Sequence, residues 1–553
     1  MLEVVLVLGG YGVFGSRISM ALARVEGIDL IVAGRDRNAA VAFCAVHGGR
    51  PDIIDREDPE LAARIASLSP FLVIDAAGPF QSYGARPYRV AEAALAAGAH
   101  YLDLSDDPAF TIGIARLDDV ARKAGLAVLS GVSSVPALSS AAVVDLAEDM
   151  DDIHLVDTVI LPGNRAPRGL SVVRAIVGQA GRPIRMWRGG RSESIPGWSG
   201  LECVSLSLSG KPPLSGRWAS VNAAPDLELF PRCFRAHSVV FRAGLELKTM
   251  HAGLLILSMP VRWGLLGSIA PLARPLKWVA ERLKPFGTDA GGMRVCVSGL
   301  TRQGRAEVRA WVLLAGSGEG PHVPAVPARV MFERLLAGKV PPGARPCVAE
   351  FALAEAEAAM ANLDIATEST AREFPLVFAE TLGAAFGALP PAVRDLHTVV
   401  DVRRWSGEAD VEEGTGHLAR LVRMLMGFPA PGTAIPVKIR MERRGEAEIW
   451  ERRFAGRPLR SRLARAGAGI LRERFGPLSF DIALNVVGGR LAYPVVAGYC
   501  AGLPLPRVLL PISETTESVD AEGRVTFDVA VSLPWVGRIV RYRGWLVPDE
   551  AEA

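Results

Sequence analysis

The sequence predicts an α/β protein that begins with a doubly wound parallel sheet, continues with a mixed α+β domain and ends with a β-rich, antiparallel α+β domain. Three observations predict this class. At 553 residues, the chain is too long for one hydrophobic core. Over about the first 150 residues, short apolar runs alternate with helical patterns, which is typical of a parallel sheet covered by helices. From residue 437 onward, single alternation of apolar and polar residues indicates strands with one buried face.

The first 25 residues contain a strand, a glycine-rich turn and a helix in immediate succession. Residues 4–8 are all apolar, as in a strand buried on both faces, and residues 16–25 have helical apolar spacing. The turn between them consists of Gly10, Tyr11, Gly12, Val13, Phe14 and Gly15. In such a turn the first glycine permits the sharp bend, the second lets the backbone approach a pyrophosphate, and the third lets helix and strand pack closely. The pattern predicts a Rossmann-type dinucleotide site; a purely structural glycine turn is the alternative.

The end of the second predicted strand discriminates between two cofactors. Residues 29–33 are followed by Gly34, Arg35 and Asp36. NAD sites place an acidic residue here to accept from the ribose 2′-hydroxyl, whereas a guanidinium suits a 2′-phosphate. Because Arg35 is the first charged side chain, we expect NADP(H) rather than NAD, with Asp36 as the competing acid. The alternative for Arg35 is a solvated loop charge.

Further segments resemble a known family. They are AGRD after the second strand, AAGPFQSYGARPYRVAEAALAAGAHYLDLSDD at 76–107 and SGVSSVPALSS at 130–140. Together with the opening GGYGVFG, they resemble the saccharopine dehydrogenase-like oxidoreductases, over roughly residues 1–365. The resemblance implies that the dinucleotide lies over the glycine turn. It also implies that the segment after the fourth strand passes near the ribose and nicotinamide, at positions Ala77, Gly78, Pro79 and Phe80.

Three domains are expected. Residues 1–150 form the dinucleotide-binding domain. Residues 151–365 form a substrate or dimerisation-type α+β domain. As an alternative, the last part of this second range belongs to the dinucleotide-binding domain. The resemblance implies that this middle domain covers the nicotinamide and supplies the substrate pocket. After a boundary at 389–391, residues 392–553 form the β-rich domain. This tail resembles a domain of unknown function behind such reductases, through MGFP at 426–429 and WERRFAGR at 450–457, and the match implies no activity.

Hydride transfer requires a proton donor or acceptor beside the reacting group. We select Tyr83, in the loop after Phe80, as the first candidate and Asp106 as the second; a structural hydrogen-bonding role is the alternative for each. Pro87 stands four residues after Tyr83, so a Tyr-x-x-x-Lys pair is absent. The sequence has neither HExxH nor CxxC spacing, and we expect no metal site.

Charge and hydropathy restrict the partners. The net charge of +3 is too small to indicate a nucleic-acid partner. We expect a cytoplasmic protein, because the first strand starts without a signal peptide. The apolar segment 253–273 is interrupted by Pro260 and Arg262, so it is interpreted first as buried or interfacial, then as a peripheral membrane contact and last as a span.

The leading hypothesis is an NADP-dependent oxidoreductase with a small, hydrophobic and lipid-like substrate. Two alternatives from other classes stay open. One is a non-catalytic dinucleotide-binding scaffold or sensor, since no unambiguous catalytic acid stands out. The other is a lipid-binding carrier that acts through the C-terminal domain. Self-association into a homo-oligomer is also left open.

Overall fold

The computed structural model describes residues 2–549, which divide into two compact units. The first unit comprises the chain up to Trp187 together with Ser192–Val297 and Arg309–Ala371. The second comprises Arg188–Arg191, Ser298–Val308 and the chain from Arg372 onward. Each unit is described by itself.

The first unit is built on two sheets with helices packed against them. The strands that lie wholly or mainly in this unit are β1 (Glu3–Leu8), β2 (Ile28–Gly34), β3 (Arg50–Ile53), β4 (Leu72–Asp75), β5 (His100–Asp103), β6 (Ala127–Ser130), β7 (Met150–Leu161), β8 (Pro183–Arg188), β9 (Arg191–Pro196), β10 (Ser199–Leu206), β11 (Leu214–Val221), β12 (Ser238–Leu245), β13 (Gly291–Thr301), β14 (Ala306–Ala315), β15 (Gly343–Pro346) and β16 (Ile365–Glu373). Its helices are α1 (Gly15–Leu22), α2 (Arg37–His47), α3 (Leu61–Leu68), α4 (Arg89–Ala96), α5 (Pro108–Gly113), α6 (Asp118–Ala124), α7 (Ser139–Leu146), α8 (Leu170–Gln179), α9 (Asp226–Cys233), α10 (Lys248–Arg262), α11 (Ala273–Arg282), α12 (Val326–Leu336) and α13 (Leu353–Met360).

The first sheet is parallel throughout and has the order β15-β6-β5-β4-β1-β2-β3. Val5, Leu6 and Val7 of β1 are completely buried, because helices cover both faces of a parallel sheet. The chain passes from β1 to β2 on one side and later places β4 on the other side of β1. A doubly wound sheet binds ligands at such a reversal, outside the carboxyl ends of the strands. The predicted Rossmann-type architecture is confirmed.

The second sheet has the order β10-β11-β12-β7-β13-β14-β16. It is mixed, since β12 runs parallel to β7 and antiparallel to β11. Helices α8, α10 and α11 share an apolar cluster that includes Val173, Leu254 and Ala273. No helix within residues 2–549 is both long enough and apolar enough to cross a membrane.

The second unit is dominated by one antiparallel sheet. Its strands are β17 (Val402–Glu413), β18 (Gly432–Arg444), β19 (Ala447–Phe454), β20 (Arg457–Gly467), β21 (Ile470–Phe475), β22 (Leu478–Ala483), β23 (Asn485–Val487), β24 (Arg490–Ala492), β25 (Val495–Cys500), β26 (Leu503–Pro504), β27 (Ile512–Ser513), β28 (Thr516–Val519), β29 (Val525–Leu533) and β30 (Gly537–Pro548), and its helices are α14 (Val377–Leu382), α15 (Pro391–Leu396) and α16 (His417–Leu425). The sheet order is β23-β24-β28-β29-β30-β17-β18-β19-β20-β21-β22-β25-β26, and β27 pairs with β29. Its core contains Phe378, Trp405 and Trp450. The predicted β-rich, antiparallel C-terminal fold is confirmed.

Candidate functional site

The glycine-rich turn connects the carboxyl end of β1 to the start of α1. Gly9 has a φ of 71°, which suits a residue without a Cβ, and its N–H donates to the Ala33 carbonyl oxygen at 2.8 Å. The Gly12 N–H donates to the Gly9 carbonyl oxygen, also at 2.8 Å. The left-handed residue of the turn is therefore Gly9, one position before the glycine that the sequence pattern selects for the sharp bend.

Gly10 and Gly15 allow close packing behind the turn. A Cβ on Gly15 would lie 2.2 Å from the Gly9 carbonyl oxygen, and a Cβ on Gly10 would lie 2.9 Å from Val32 Cγ1. Neither approach is tolerable between heavy atoms, so a side chain at either position would push α1 or β2 away from β1. Both glycines shape the turn from behind and do not contribute to the wall of the cavity described next.

A cavity of about 790 Å³ opens at the carboxyl ends of β1, β2 and β4. Its wall includes ten of the predicted cofactor positions: Tyr11, Gly12, Val13, Phe14, Gly34, Arg35, Ala77, Gly78, Pro79 and Phe80. Helix α1 begins beside it at Gly15, and Phe14 provides no side-chain cap. The N-terminal N–H groups of a helix carry partial positive charge and bind phosphate groups. The cavity thus has the position of a dinucleotide site beside the positive end of a helix.

Arg35 and Asp36 have different surroundings although they are adjacent. The Asp36 side chain caps α2, because Oδ1 accepts from the backbone N–H groups of Asn38 at 3.0 Å and Ala39 at 3.1 Å. The Asp36 N–H donates to the Tyr11 hydroxyl at 2.8 Å. Arg35 is exposed and contributes to the cavity wall. The Asp36 carboxylate caps α2, whereas the exposed Arg35 side chain lies at the cavity.

Tyr83 lies beneath the cavity wall and is almost completely buried. Its hydroxyl donates to Asp75 Oδ2 at 2.8 Å, and its ring stacks on that of Phe80 with 5.0 Å between centroids. Burial, followed by the nearby Asp75 carboxylate, raises the Tyr83 pKa well above its ordinary value. Asp75 also accepts from the Ala77 N–H at 3.0 Å. Through these contacts, Asp75 at the end of β4 holds the loop that follows the strand in place. A catalytic role for Tyr83 stays a prediction.

Asp106 belongs to the cavity wall. Gln81 Nε2 donates to its Oδ1 atom at 3.1 Å. The residue is exposed to solvent, and the protein around its carboxyl lowers the hydration of that group enough to raise its pKa above the usual aspartate value. Asp106 therefore retains a proton to higher pH than a free aspartate, although its catalytic role also stays a prediction.

The N-terminal part of the chain matches a known domain family. Residues 5–129 match the family model described as the saccharopine dehydrogenase NADP binding domain. We call residues 5–129 the NADP-binding domain after this similarity. This match confirms the predicted resemblance, the nicotinamide dinucleotide cofactor and the class of NAD(P)-dependent oxidoreductases. Behind this domain, residues 389–546 match a domain of unknown function, DUF4166, as the resemblance of the tail predicts.

Solved structures similar to the chain include several oxidoreductases. Saccharopine dehydrogenase (L-Glu forming) from Saccharomyces cerevisiae is 15% identical, with a TM-score of 0.48, and the match covers 67% of this chain and 100% of that one. A 3-ketoreductase from Actinomadura kijaniata is 14% identical, covering 65% and 97%, with a TM-score of 0.31. Biliverdin reductase from Synechocystis sp. PCC 6803 is 12% identical, covering 65% and 96%, with a TM-score of 0.31. No curated protein matches the chain.

The NADP-binding domain contains a second arginine at the cavity that sequence analysis did not select. The Arg56 guanidinium lies 3.8 Å from the centroid of the Tyr83 ring, and its Nη1 atom donates to the Ala77 carbonyl oxygen at 3.2 Å. It also contributes to the cavity wall. The signal that could have identified it is its place just after β3, next to β2 in the sheet.

Asp103 fixes the other edge of the NADP-binding domain's cavity. It is completely buried at the end of β5, and its Oδ1 atom accepts from the Ser105 N–H, the Ser130 hydroxyl and the Gly131 N–H, each at 2.9 Å. Its Oδ2 atom has no hydrogen-bond partner among the residues that the structure describes. Burial raises the Asp103 pKa to about 7. Through Gly131, this carboxyl positions the segment 133–135, which contributes to the cavity wall.

Proposed function

We propose that the protein is an NADP-dependent oxidoreductase that acts on a small, hydrophobic substrate. The observation that carries the proposal is the continuity of the cavity. It extends from the glycine turn to side chains of α8, of the turn before β10 and of the second sheet, which are mainly apolar. They include Val172, Ile176, Trp198, Phe241 and Met293. A dinucleotide over the turn would share this space with an apolar substrate, which favours direct hydride transfer between them.

The preference for NADP is supported by the neighbouring residues Arg35 and Asp36. Discrimination in favour of NAD requires a carboxylate that is available to the ribose 2′-hydroxyl. The Asp36 carboxylate caps α2 through its Oδ1 atom and does not contribute to the cavity wall. Arg35 remains at the cavity with its guanidinium available for a 2′-phosphate.

Asp106 is the proton donor in this proposal. It belongs to the cavity wall beside Gln81, in the region where the family resemblance places the nicotinamide, and its pKa is shifted upward. Tyr83, the first choice from sequence, has its hydroxyl engaged by Asp75. When NADP(H) is bound, it supplies or accepts the hydride; Asp106 then supplies or accepts the proton at its carboxyl oxygen.

The test combines binding and turnover. NADPH fluorescence is titrated with the full chain, and oxidation of NADPH is then followed across apolar aldehydes, ketones and enones. We expect saturable binding and turnover of at least one apolar carbonyl compound. Failure to bind NADPH would overturn the proposal. Binding without turnover of any compound would favour the alternative of a dinucleotide sensor, which the engagement of the Tyr83 hydroxyl also supports.

We also propose that the first unit contacts membranes through the segment from α10 to Phe286. The inner side of α10 is buried at Leu254. On the outer side, Ile256 is 63% exposed, Trp263 69%, Trp278 60% and Phe286 74%. Residues 253–288 contain five basic residues against one acidic residue. An apolar face with a basic surround suits an anionic membrane surface. Because α11 packs on α8, which helps to form the cavity wall, a substrate dissolved in lipid would be close to its site.

A further inference from the structure

We propose that the second unit contains a separate binding site for a neutral, apolar molecule that carries a hydroxyl group. The site is a cavity of about 370 Å³ formed entirely by residues of the second unit. This volume lies within the range of small-molecule pockets. The proposal does not depend on the dinucleotide site, because no residue of the NADP-binding domain contributes to this cavity.

The wall is formed by the inner face of the antiparallel sheet. Val525, Phe527, Val529 and Val531 occupy alternate positions of β29, so their side chains point to the same face. Other strands contribute apolar side chains in the same alternating way: Val437, Ile439, Leu459, Leu463, Leu478, Phe480 and Ile482. Such a surface gains free energy when an apolar molecule replaces water. The body of the ligand is therefore apolar.

Polar side chains also contribute to this wall, and the first group of them is Tyr493 and Glu517, which contact His397. His397 is completely buried, and its Nε2 atom lies 2.6 Å from Glu517 Oε2. The Tyr493 hydroxyl donates to the same oxygen at 2.8 Å. Burial and the adjacent Glu517 carboxylate raise the Tyr493 pKa well above its ordinary value, so the phenol keeps its proton. The Phe378 ring stacks on the imidazole with 3.8 Å between centroids. The carboxylate is held in one orientation at the cavity.

Glu517 has one oxygen available for a ligand. Both contacts of its carboxylate go to Oε2, so Oε1 makes no hydrogen bond to the part of the chain that the structure describes. The side chain is only 12% exposed, and it belongs to the cavity wall. A carboxylate oxygen of low exposure that accepts no protein donor is available to a donor on a ligand. A hydroxyl group on the ligand would supply the donor.

The second charged group at the wall is an ion pair. Arg452 Nη2 lies 3.2 Å from Glu473 Oε1, and Arg452 Nη1 donates to the Ser461 hydroxyl at 2.9 Å. Because this guanidinium and carboxylate neutralise each other, a carboxylate ligand would find no free cation. An ammonium ligand could also donate to Glu517 Oε1, but it would lose the hydration of its charge on entering the cavity. Burying either charge in an apolar cavity is costly, and the geometry favours a neutral hydroxyl.

Two surface elements that contribute to the wall also expose apolar side chains. The end of α16 contributes Val422 to the wall, and Leu425 beside it is 77% exposed. The segment after β26 contributes Leu505, while Leu503 is 73% exposed. An apolar ligand would therefore meet apolar surface before it enters the cavity.

The first experiment compares three probes with the same alkyl chain and different head groups. Dodecanol, dodecanoate and dodecylamine are titrated below their aggregation limits into the full chain, without added dinucleotide, by isothermal titration calorimetry. We expect dodecanol to bind at one site and the two charged probes to bind at least tenfold more weakly. Equal or tighter binding of a charged probe would overturn the inference, as would the absence of binding by all three.

The second experiment locates the binding. Val529→Trp fills the cavity and is expected to weaken dodecanol binding at least tenfold; Val487→Trp, at a position that is 64% exposed, is the matched control and should bind like the parent. Val529→Phe serves if the larger side chain prevents folding. Glu517→Gln is expected to weaken dodecanol binding several-fold. Unchanged affinity in folded Val529 variants would refute the site. NADPH titration of the same variants should be unaffected, so failure of this inference is distinguishable from failure of the proposed function.

Discussion

Arg35 and Asp36 show how two neighbouring charges acquire separate roles. We expect Arg35→Ala to weaken NADPH binding by about tenfold, since it removes a charge-assisted contact to the 2′-phosphate, and to leave NADH binding nearly unchanged. Arg24→Ala, an exposed arginine after the end of α1, is the control and should change neither affinity. Both affinities are measured by fluorescence titration. Equal losses for NADPH and NADH would refute the role of Arg35 in binding the phosphate.

Conservative substitutions can distinguish the proposed catalytic role of Asp106 from the structural role of Tyr83. We expect Asp106→Asn to lower kcat by about a hundredfold, the usual contribution of a general acid, without loss of thermal stability. Tyr83→Phe removes the donor to the buried Asp75 and should cost about 1–3 kcal/mol of stability while retaining most of the turnover. Steady-state NADPH oxidation and thermal unfolding provide the two measurements. A Tyr83→Phe variant that is stable but inactive would restore Tyr83 as the catalytic acid.

At the scale of secondary-structure elements, only the first half of the apolar segment 253–273 lies in an α-helix, α10, and only its last residue belongs to α11. Helix α10 ends at Arg262 and α11 starts at Ala273, so the sequence pattern identified an apolar region but not its shape. The end of α10 depends on neighbouring residues, because Pro260 and Gly264 interrupt the helical pattern there. The outward direction of Trp263 and Trp278 depends on packing against α8, which is distant in sequence and could not be predicted.

The membrane contact is tested on vesicles. We expect the parent protein to sediment with vesicles of phosphatidylcholine containing phosphatidylglycerol, and Trp263→Ser combined with Trp278→Ser to reduce binding by about tenfold or more, because both aromatic anchors are lost. Trp535→Ser, at a position that is 94% exposed in the second unit, is the control of matching residue type. If the double variant binds like the parent, this surface does not contact the membrane.

At the scale of the whole molecule, strand–turn–helix order could be predicted because it depends on neighbouring residues. The glycine turn and the first strands were identified in this way. The contacts that define the site join distant positions. Asp106 meets Gln81, and Arg56 covers Tyr83. No local pattern encodes such pairs. For the same reason, Phe378 could not be assigned to the core of the second unit, since it precedes the predicted boundary at 389–391.

Stability of the first unit should depend on pH through Asp103. Its pKa is about 7 in the folded protein and 3.8 without the influence of the fold. The folded state therefore binds more protons between these values, so this residue's contribution to stability is present at low pH and is lost as pH rises towards 7. Relative to Asp103→Asn, we expect the parent to lose at least about 1 kcal/mol between pH 5 and pH 8. Thermal unfolding of both proteins across this pH range measures the change. A difference in Tm between parent and variant that does not vary with pH would contradict the prediction.

The division of the chain into units has a consequence for a protein that is truncated between them. The second unit takes Arg188–Arg191 and Ser298–Val308 from within the stretch that otherwise forms the first unit. Within the second unit, Arg188 binds Asp401 and Arg191 binds Asp549. A premature stop codon after residue 371 would remove both carboxylates while leaving their arginines in place. A protein cut at this point would therefore keep two arginines without the carboxylates that they contact in the full chain.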